Sequence, residues 1–262
     1  MNIHTLTEKE FSALPLVVEG ESKIVRDAGD GLCVIKFKPT IYSFTANRAG
    51  VIEGSDKLRL QASKIFLEVL RKAGIKHAYR EVGENFILAD LIRNPPPIEV
   101  IVKMYHSGTS KHRYHGMAGT PIRANHPYWA GQTFEPDGGY PSPLVRFDWR
   151  NPMKDSDGKW LADEVLGDSQ ADWFINTQKA RLTALRVGRE LSNFLATKDI
   201  VLYDLCLFID AEGSTVFGEI SQDCGRFRHF DLGSLDKDAW RAGGSSEHVL
   251  SKWQLLLDLI KS

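Results

Sequence analysis

The chain has 262 residues, 42% of them hydrophobic and 26% charged, which is enough for one large domain or two closely packed lobes with a full core. Its formal net charge of -1 argues against a nucleic-acid-binding protein, because such proteins carry an excess of Lys and Arg. No apolar run approaches the ~20 residues that span a bilayer, and the polar start of the chain predicts no signal peptide.

The N-terminal part of the sequence predicts an antiparallel sheet followed by a helix. β-prone runs cover residues 14–18, 23–26 and 32–37, with a Gly-rich turn signal at 27–31. Ser55 is placed to cap a helix whose apolar stripe ends before Gly74. Two further strands, 86–90 and 98–105, are separated by a Pro-rich link at 94–97, which we expect to be a hinge between lobes.

The rest of the chain predicts a larger mixed lobe. Residues 107–140 are rich in Gly, Pro, His and aromatic residues, and a loop of that length usually has a function. A strand over 143–149 and a terminal helix over 246–260 are predicted, together with a long helix over 171–197. The inner face of that long helix is predicted to carry Trp173, Phe174, Ala184, Leu191 and Leu195.

These elements predict the α+β fold class. The predicted organisation is an N-terminal antiparallel sheet lobe over residues 1–93 and a larger mixed α/β lobe over 98–262, joined by the hinge at 94–97.

Two acidic residues are expected to meet in a hairpin near the C-terminus. Residues 200–209 and 214–221 are predicted strands joined by a turn at 210–213, and pairing of Ile209 with Ser214 would place Asp204 opposite Glu219. Carboxylates at cross-strand distance repel each other unless a cation or a proton lies between them. The pattern therefore predicts a Mg²⁺ or substrate-amine site, with a hairpin whose acids face water as the alternative.

The run that follows this hairpin combines Ser, Asp, Gly and Arg. It contains Ser221, Asp223 and Arg226, a composition typical of a binding loop, and an ordinary solvated loop is the alternative.

Five short motifs occur in one order along the chain, at residues 20–23, 97–103 with 108–109, 204–208, 218–226 and 235–241. In that order and spacing they resemble the G-K-A-K, P-x-E-x-V-V-R-x-x-x-x-G-S, D-x-K-x-E-F-G, D-E-x-S-P-D-x-x-R and L-D-K-D-x-x-R motifs of SAICAR synthetases. The resemblance covers about residues 18–257 and implies the two-lobed SAICAR synthase-like fold.

The resemblance also implies a reaction and its participants. SAICAR synthetases are cytoplasmic ligases that use ATP and Mg²⁺ to join the carboxylate of a nucleotide to the amine of aspartate through an acyl phosphate. The implied partners are a small-molecule nucleotide and an amine donor, with no nucleic acid and no membrane. Family members often form dimers or larger assemblies, so a homo-oligomer is an expectation, although no interface is evident in the sequence.

On this template the ATP-binding residues lie in the N-terminal lobe and at its hinge. Lys23 would meet the ATP phosphates, and Glu99 would lie beside the adenosine. The catalytic residues that line the reaction centre would be Asp204, Glu219 and Asp223.

A second set would hold the phosphate of the ribonucleotide substrate. The resemblance implies Lys103, Thr109 and Arg226 for this role, with Ser110 as a helper.

Several positions depart from the family pattern where its chemistry takes place. Glu21 replaces the first Lys of G-K-A-K, Lys103 replaces an Arg, and Cys206 replaces the Lys of the D-x-K strand. Phe208 and Gly218 replace two acids that are metal ligands in the family, so the usual Mg²⁺ site is absent at both positions. An Arg-to-Lys change keeps the charge but removes the bidentate fork.

These departures leave two interpretations open. Either Asp204 and Glu219 take over the metal, or the ATP chemistry has been modified or abandoned. The segment at residues 38–50, which helps to form the ligand cleft in the family, is also rewritten. We therefore predict a specialised ligase acting on a phosphoribosyl-azole carboxylate or analogue, for example in nucleoside natural-product synthesis.

Two other functions are compatible with the same pattern. One is a catalytically silent nucleotide-binding protein that kept the fold and lost the metal. The other is a different phosphoryl transferase, since this fold resembles that of inositol-phosphate kinases. Standard purine synthesis is a further alternative.

The cysteines predict neither a disulfide framework nor a metal site. Cys33, Cys206 and Cys224 are odd in number and lack metal-site spacing, so we expect a reducing cytoplasm. Cys206 is interpreted as a structural thiol rather than a nucleophile, because no base can be placed beside it.

Three histidines, His106, His112 and His115, occur near Lys111 and Arg113. This grouping favours a cationic rim for an anionic ligand, with a zinc site or a plain surface loop as the alternatives.

Overall fold

The computed structural model describes residues 1–43, 48–107, 115–135, 138–158 and 161–262. Thr109, Ser110 and His112 lie outside these ranges. The fold is α+β with two antiparallel sheets, which confirms the predicted class. None of the described helices is long and apolar enough to cross a membrane.

The first sheet is built from the N-terminal part of the chain. Its five strands have the order β1-β2-β3-β7-β6 and are antiparallel throughout. The strands are β1 (Leu16–Glu19), β2 (Lys23–Gly29), β3 (Leu32–Phe37), β6 (Tyr79–Val82) and β7 (Ile87–Asp90), while β4 (Thr40–Ser43) and β5 (Arg48–Val51) form a separate pair. The predicted turn between β2 and β3 is confirmed, with positive φ at Gly29, Asp30 and Gly31.

The second sheet carries the candidate site. Its order is β10-β9-β8-β11-β12-β13, again antiparallel. The strands are β8 (Ile98–Tyr105), β9 (Gly139–Trp149), β10 (Glu164–Leu166), β11 (Ile200–Leu207), β12 (Gly225–His229) and β13 (Gly233–Ser234). The two sheets fall on either side of the Pro-rich link, and the hinge there stays a prediction.

Six helices and one short 3₁₀ turn complete the described fold. They are α1 (Glu8–Ala13), α2 (Ser55–Lys72), the 3₁₀ turn His115–Met117, α3 (Asp168–Ala171), α4 (Thr177–Ala196), α5 (Asp238–Arg241) and α6 (Ser246–Lys261). The cap of α2 is Gly54, with φ 88°, rather than Ser55 as predicted. Ser55 is instead the first helical residue and is fully buried.

One hydrophobic core joins the two sheets. It contains Ile35 from the first sheet, Val102 from the second, Phe66 from α2, Leu191 from α4 and Leu257 from α6. Each such side chain contributes roughly 1.5–3 kcal/mol when it is removed from water. The two sheets therefore share a core, to which α2 also contributes.

The long helix predicted over residues 171–197 is wrong in its first part. The chain forms the short α3, then a break, and α4 begins only at Thr177 because Asn176 caps it by accepting from the Lys179 N–H at 3.0 Å. Trp173 and Phe174 lie in the break and are 75% and 40% exposed, so they are not on an inner face. The other three predicted positions are buried, namely Ala184, Leu191 and Leu195.

The predicted hairpin strand over residues 214–221 is also wrong. Asp210 turns the chain by accepting from the N–H groups of Ser214 and Thr215, and Ile209 then pairs with Val216 rather than with Ser214. The segment after Val216 leaves the sheet, and β12 becomes the neighbour of β11. The expected pairing of Asp204 with Glu219 does not form.

Candidate active site

A buried charge cluster lies at the centre of the second sheet. β11 runs between β8 and β12, and their registers place Asp204 beside Lys103 on one side and Arg226 on the other. Asp204 Oδ2 accepts from Lys103 Nζ at 2.7 Å and from Arg226 Nη1 at 2.6 Å. We call these three residues the sheet triad.

The charges of the sheet triad are strongly coupled. Burial alone would raise the pKa of Asp204, but the positive charges of Lys103 and Arg226 outweigh it and hold that pKa below its ordinary value. The side chains of Lys103 and Asp204 are each 4% exposed, and that of Arg226 is 12% exposed. The triad thus has a net charge of +1 that water screens only weakly.

A second acidic layer supports Arg226 from behind. Arg226 Nε lies 3.9 Å from Asp238, and Arg241 lies 3.2 Å from Asp236. Asp236 is fully buried and accepts the backbone N–H groups of Phe227 and Asp238. Burial, reinforced by the negative charge of Asp238, raises the pKa of Asp236 to about 6.

Glu219 is held by an arginine that sequence analysis did not identify. Arg59 Nε donates to Glu219 Oε1 at 2.7 Å and Arg59 Nη2 to Oε2 at 2.5 Å, and Ser221 Oγ also donates to Glu219. Arg59 Nη1 further donates to the carbonyl oxygens of Lys38 and Thr40. This fully buried arginine ties α2, the residue after β3 and the first residue of β4 to the segment that follows β11.

A signal for Arg59 exists in the sequence. It lies four residues after Ser55 and three before Ala62, on the buried face of α2. A charged residue at the spacing of an apolar stripe must find a buried partner, because an unpaired buried charge is costly.

Asp223 faces a different cation. Its Oδ1 lies 3.0 Å from Lys237 Nζ. Burial would raise the pKa of Asp223, but the charges of Lys237 and Arg59 reverse this and lower it. The three predicted catalytic acids are therefore all paired with cations of the protein, and their catalytic roles stay predictions.

An aromatic ring occupies the region just beyond β11. Two cations lie near the ring of Phe208: Lys23 Nζ is 5.6 Å and Arg150 Cζ is 5.2 Å from the ring centre. Phe217 packs beside it, with ring centres 5.8 Å apart. Burial lowers the pKa of Lys23, although the negative charge of Glu219 opposes the shift.

Gly218 is required by that ring. A Cβ atom at position 218 would lie 2.5 Å from Cδ2 and 2.8 Å from Cβ of Phe208, which is closer than carbon atoms can approach. The side chain of Phe208 therefore fills the space next to residue 218.

Glu99 lies at the start of β8, near the same cations. Its Oε1 is 3.6 Å from Arg150 Nε, and burial raises its pKa against the opposing charge of that arginine. Arg150, directly after β9, is a site residue that sequence analysis had no means of finding, because only the β8–β9 register brings it to Glu99.

Cys206 has the environment of a structural thiol. Burial, with Glu99 and Asp204 contributing, raises its pKa to about 12, so the thiolate nucleophile is scarce at neutral pH. Burial likewise raises the pKa of Cys33 to about 11.

Of the three grouped histidines, His106 is the one whose side chain the structure describes. His106 is buried, with Nδ1 3.0 Å from Tyr140 Oη and its ring edge-on to Phe134 at 4.5 Å. It therefore packs among aromatic residues rather than on an exposed rim. His112, Lys111 and Arg113, like the predicted phosphate-binding residues Thr109 and Ser110, lie outside the described residues.

The residues present do not fit the family's Mg²⁺ site. Mg²⁺ requires hard oxygen ligands in near-octahedral geometry, and neither Phe208 nor Gly218 has a side-chain oxygen. The proposed replacement pair, Asp204 and Glu219, rested on a strand register that is wrong. Within the part of the chain that the structure describes, no group of three or more His, Cys, Asp or Glu residues could hold a metal ion.

Comparisons with known proteins identify the relatives of this chain. The family model for SAICAR synthetase matches residues 16–255. The chain is 30% identical over 94% of its length to the bifunctional cordycepin biosynthesis cluster protein 3 of Cordyceps militaris, and it spans about a third (33%) of that longer protein. It is 25% identical over 86% of its length to a phosphoribosylaminoimidazole-succinocarboxamide synthase of Methanoregula boonei, covering 82% of that protein.

A solved structure has the same fold. The chain matches a SAICAR synthetase in complex with ADP at 25% identity and a TM-score of 0.71, covering 93% of this chain and 96% of that one.

Proposed function

This chain belongs to the SAICAR synthetase family, whose members are ATP-dependent ligases, and from that premise we propose that it is a specialised amide-forming ligase. The proposed substrates are the carboxylate of a phosphoribosyl-azole nucleotide, or a close analogue, and an amine. The observation that carries this proposal is the sheet triad, a rigid cationic site that remains beside a rebuilt region around Phe208.

The sheet triad suits an anionic substrate. Lys103 and Arg226 share a single carboxylate, so one positive charge is left uncompensated within the triad. Preorganised cations in a water-poor site bind phosphate more strongly than mobile surface lysines. We assign Lys103 and Arg226 to the phosphate of the nucleotide substrate, with Thr109 and Ser110 as proposed helpers.

The proposed chemistry has two steps. An oxygen of the substrate carboxylate attacks the terminal phosphorus of ATP, and the bond from that phosphorus to ADP breaks. The amine nitrogen then attacks the acyl carbon, phosphate leaves with the electrons of the C–O bond, and the nitrogen loses a proton. The lowered pKa values of Asp204 and Asp223 keep both carboxylates negative at neutral pH, which suits orienting an amine donor rather than donating protons.

Two observations support a specialised rather than a standard substrate. Phe208 and Gly218 stand where the family resemblance implies metal-binding acids, and the side chain of Phe208 fills the space next to Gly218. A relative at 30% identity is named for a cordycepin biosynthesis cluster, which is consistent with nucleoside natural-product synthesis.

The test follows an oxygen atom of the substrate carboxylate into the released phosphate. The protein is incubated with ATP, an amine and candidate azole carboxylates labelled with ¹⁸O in the carboxylate, and the released phosphate and the organic product are analysed by mass spectrometry. The proposed ligase transfers one ¹⁸O to phosphate for each amide formed. Efficient turnover of the standard purine intermediate with aspartate would contradict the specialised assignment.

The replacement of both metal ligands favours a second candidate, a catalytically silent nucleotide-binding protein. This candidate binds nucleotide, measured by titration, but in the ¹⁸O assay it releases no ADP with any acid and amine. Transfer of phosphate to a hydroxyl compound, without a carboxylate, would instead indicate a phosphoryl transferase.

A further inference from the structure

We infer that this protein binds nucleotide phosphates without Mg²⁺, with Lys23 and Arg150 supplying the positive charge and Phe208 occupying the metal position. The inference rests on the proposed function, because it concerns the nucleotide that the ligase would use. Its support lies in the surroundings of Phe208.

The ring of Phe208 is fixed in place. Gly218 is the residue that permits it, since any Cβ at position 218 would overlap the ring at 2.5 Å. Phe217 packs against it from the following segment. Restoring an acid at position 218 alone is therefore sterically blocked, and a carboxylate metal site cannot re-form by a small movement.

The two cations reach the ring from different sheets. Lys23 begins β2 in the first sheet, and Arg150 follows β9 in the second. Both cations lie within the roughly 6 Å of the ring centre over which the face of an aromatic ring attracts a cation. The ring therefore holds two like charges near each other, a task for which a carboxylate would otherwise be needed.

These cations are less compensated than the others in the site. Arg59 is bidentate to Glu219, and Lys237 is paired with Asp223. Among the described residues, Lys23 has no ion-pair partner, and Arg150 approaches Glu99 only at 3.6 Å. Burial disfavours the charged form of Lys23, so a bound anion would recover the interaction that the protein leaves open.

Arginine and lysine are chemically suited to this replacement. Mg²⁺ in nucleotide-binding sites neutralises phosphate oxygens, and guanidinium and ammonium groups neutralise the same oxygens by charge-assisted hydrogen bonds. The Arg150 side chain is 52% exposed, so it can reach a ligand that approaches from solvent, and its replacement should not disturb the core.

The test measures ADP and ATP binding to the full chain by isothermal titration, once in EDTA and once in Mg²⁺. We expect the dissociation constants in the two conditions to agree within about threefold. Arg150→Met and Lys23→Met should each weaken binding in EDTA by about tenfold or more. Arg189→Met, which removes an equally charged but exposed arginine paired with Glu190, should leave binding unchanged.

A gain-of-metal variant sharpens the test. Phe208→Glu combined with Gly218→Asp places the two acids that the family resemblance implies and removes the ring 2.5 Å from a Cβ at position 218, so that only the contact with Cβ of residue 208, at 2.8 Å, has to relax. This variant should bind Mn²⁺, detected by loss of the free Mn²⁺ signal in electron paramagnetic resonance, whereas the parent protein should not.

The outcomes separate the two proposals. Binding in EDTA that depends on Arg150 supports the inference. Binding that requires Mg²⁺, or Mn²⁺ uptake by the parent protein, overturns the inference and leaves the ligase proposal standing. Absence of nucleotide binding in both conditions overturns the ligase proposal and the inference with it.

Discussion

Buried charge is stabilised in different ways at two places along and just after β11, around Asp204 and around Phe208. At Asp204, two cations share one carboxylate, and all three side chains are locked by the strand register. At Phe208, an aromatic ring lies within about 6 Å of both Lys23 and Arg150, at 5.6 Å and 5.2 Å from its centre. The arrangement at Asp204 depends on mutual compensation and therefore tolerates little change, whereas the ring of Phe208 leaves no room for a Cβ atom at position 218.

The largest expected effect is a loss of stability at the sheet triad around Asp204. Asp204→Asn removes the shared carboxylate and leaves Lys103 and Arg226 buried together, which should lower the free energy of unfolding by about 3–5 kcal/mol. Urea unfolding measures this loss. Asp90→Asn is the matched control: it breaks the exposed pair with Arg80 and should cost about 0–1 kcal/mol. Equal losses in the two variants would show that the sheet triad is not a coupled unit.

The acidic layer behind Arg226 should give the next effect, as a pH dependence. Asp236 has a folded pKa of about 6, above the unfolded value near 3.9, so the folded state binds more protons between these pH values. The contribution of Asp236 to stability is therefore full below about pH 4 and falls, by roughly 2–3 kcal/mol, as the pH rises through 6. Urea unfolding of the parent and of Asp236→Asn across this range measures the difference, and parallel profiles would contradict the assignment.

A smaller loss of stability is expected from changes around Phe208. Gly218→Ala places a methyl group against the ring of Phe208 and should destabilise the protein by about 1–3 kcal/mol. In a Phe208→Gly background the same change should cost much less, because Cδ2, Cγ and Cβ of Phe208, the obstructing atoms, are all gone. A double-mutant cycle by urea unfolding gives the coupling energy, and a value near zero would show that the two substitutions are independent.

The smallest expected effect concerns the reactivity of the Cys206 thiol, which lies between Asp204 and Phe208 in the sequence. Native Cys206 should react with iodoacetamide at pH 8 far more slowly than a free thiol, because its pKa is about 12. Mass spectrometry of labelled peptides measures the rate, with the urea-unfolded chain as the control in which all three cysteines react. Rapid native labelling would reopen the nucleophile interpretation.

Much of the fold could be predicted from local patterns. The strands at 32–37 and 98–105, the turn before β3 and the terminal helix follow the periods and turn residues of the sequence. The sequence predictions failed where a local side-chain hydrogen bond overrides the hydrophobic periodicity. Asn176 makes α4 begin later than predicted, and Asp210 widens the turn after β11. In both cases a polar side chain that captures backbone N–H groups decided where the element begins or ends.

The sequence by itself determined the family, and it predicts the residues of the candidate site and the loss of acids at Phe208 and Gly218. Only the tertiary structure decided their partners: Asp204 meets Lys103 from 101 residues away and Arg226 from 22 residues away. The physical reason is that a shift of one residue in strand register moves every side chain to the opposite face. That register depends on turns and packing across the whole sheet, and no local pattern contains it.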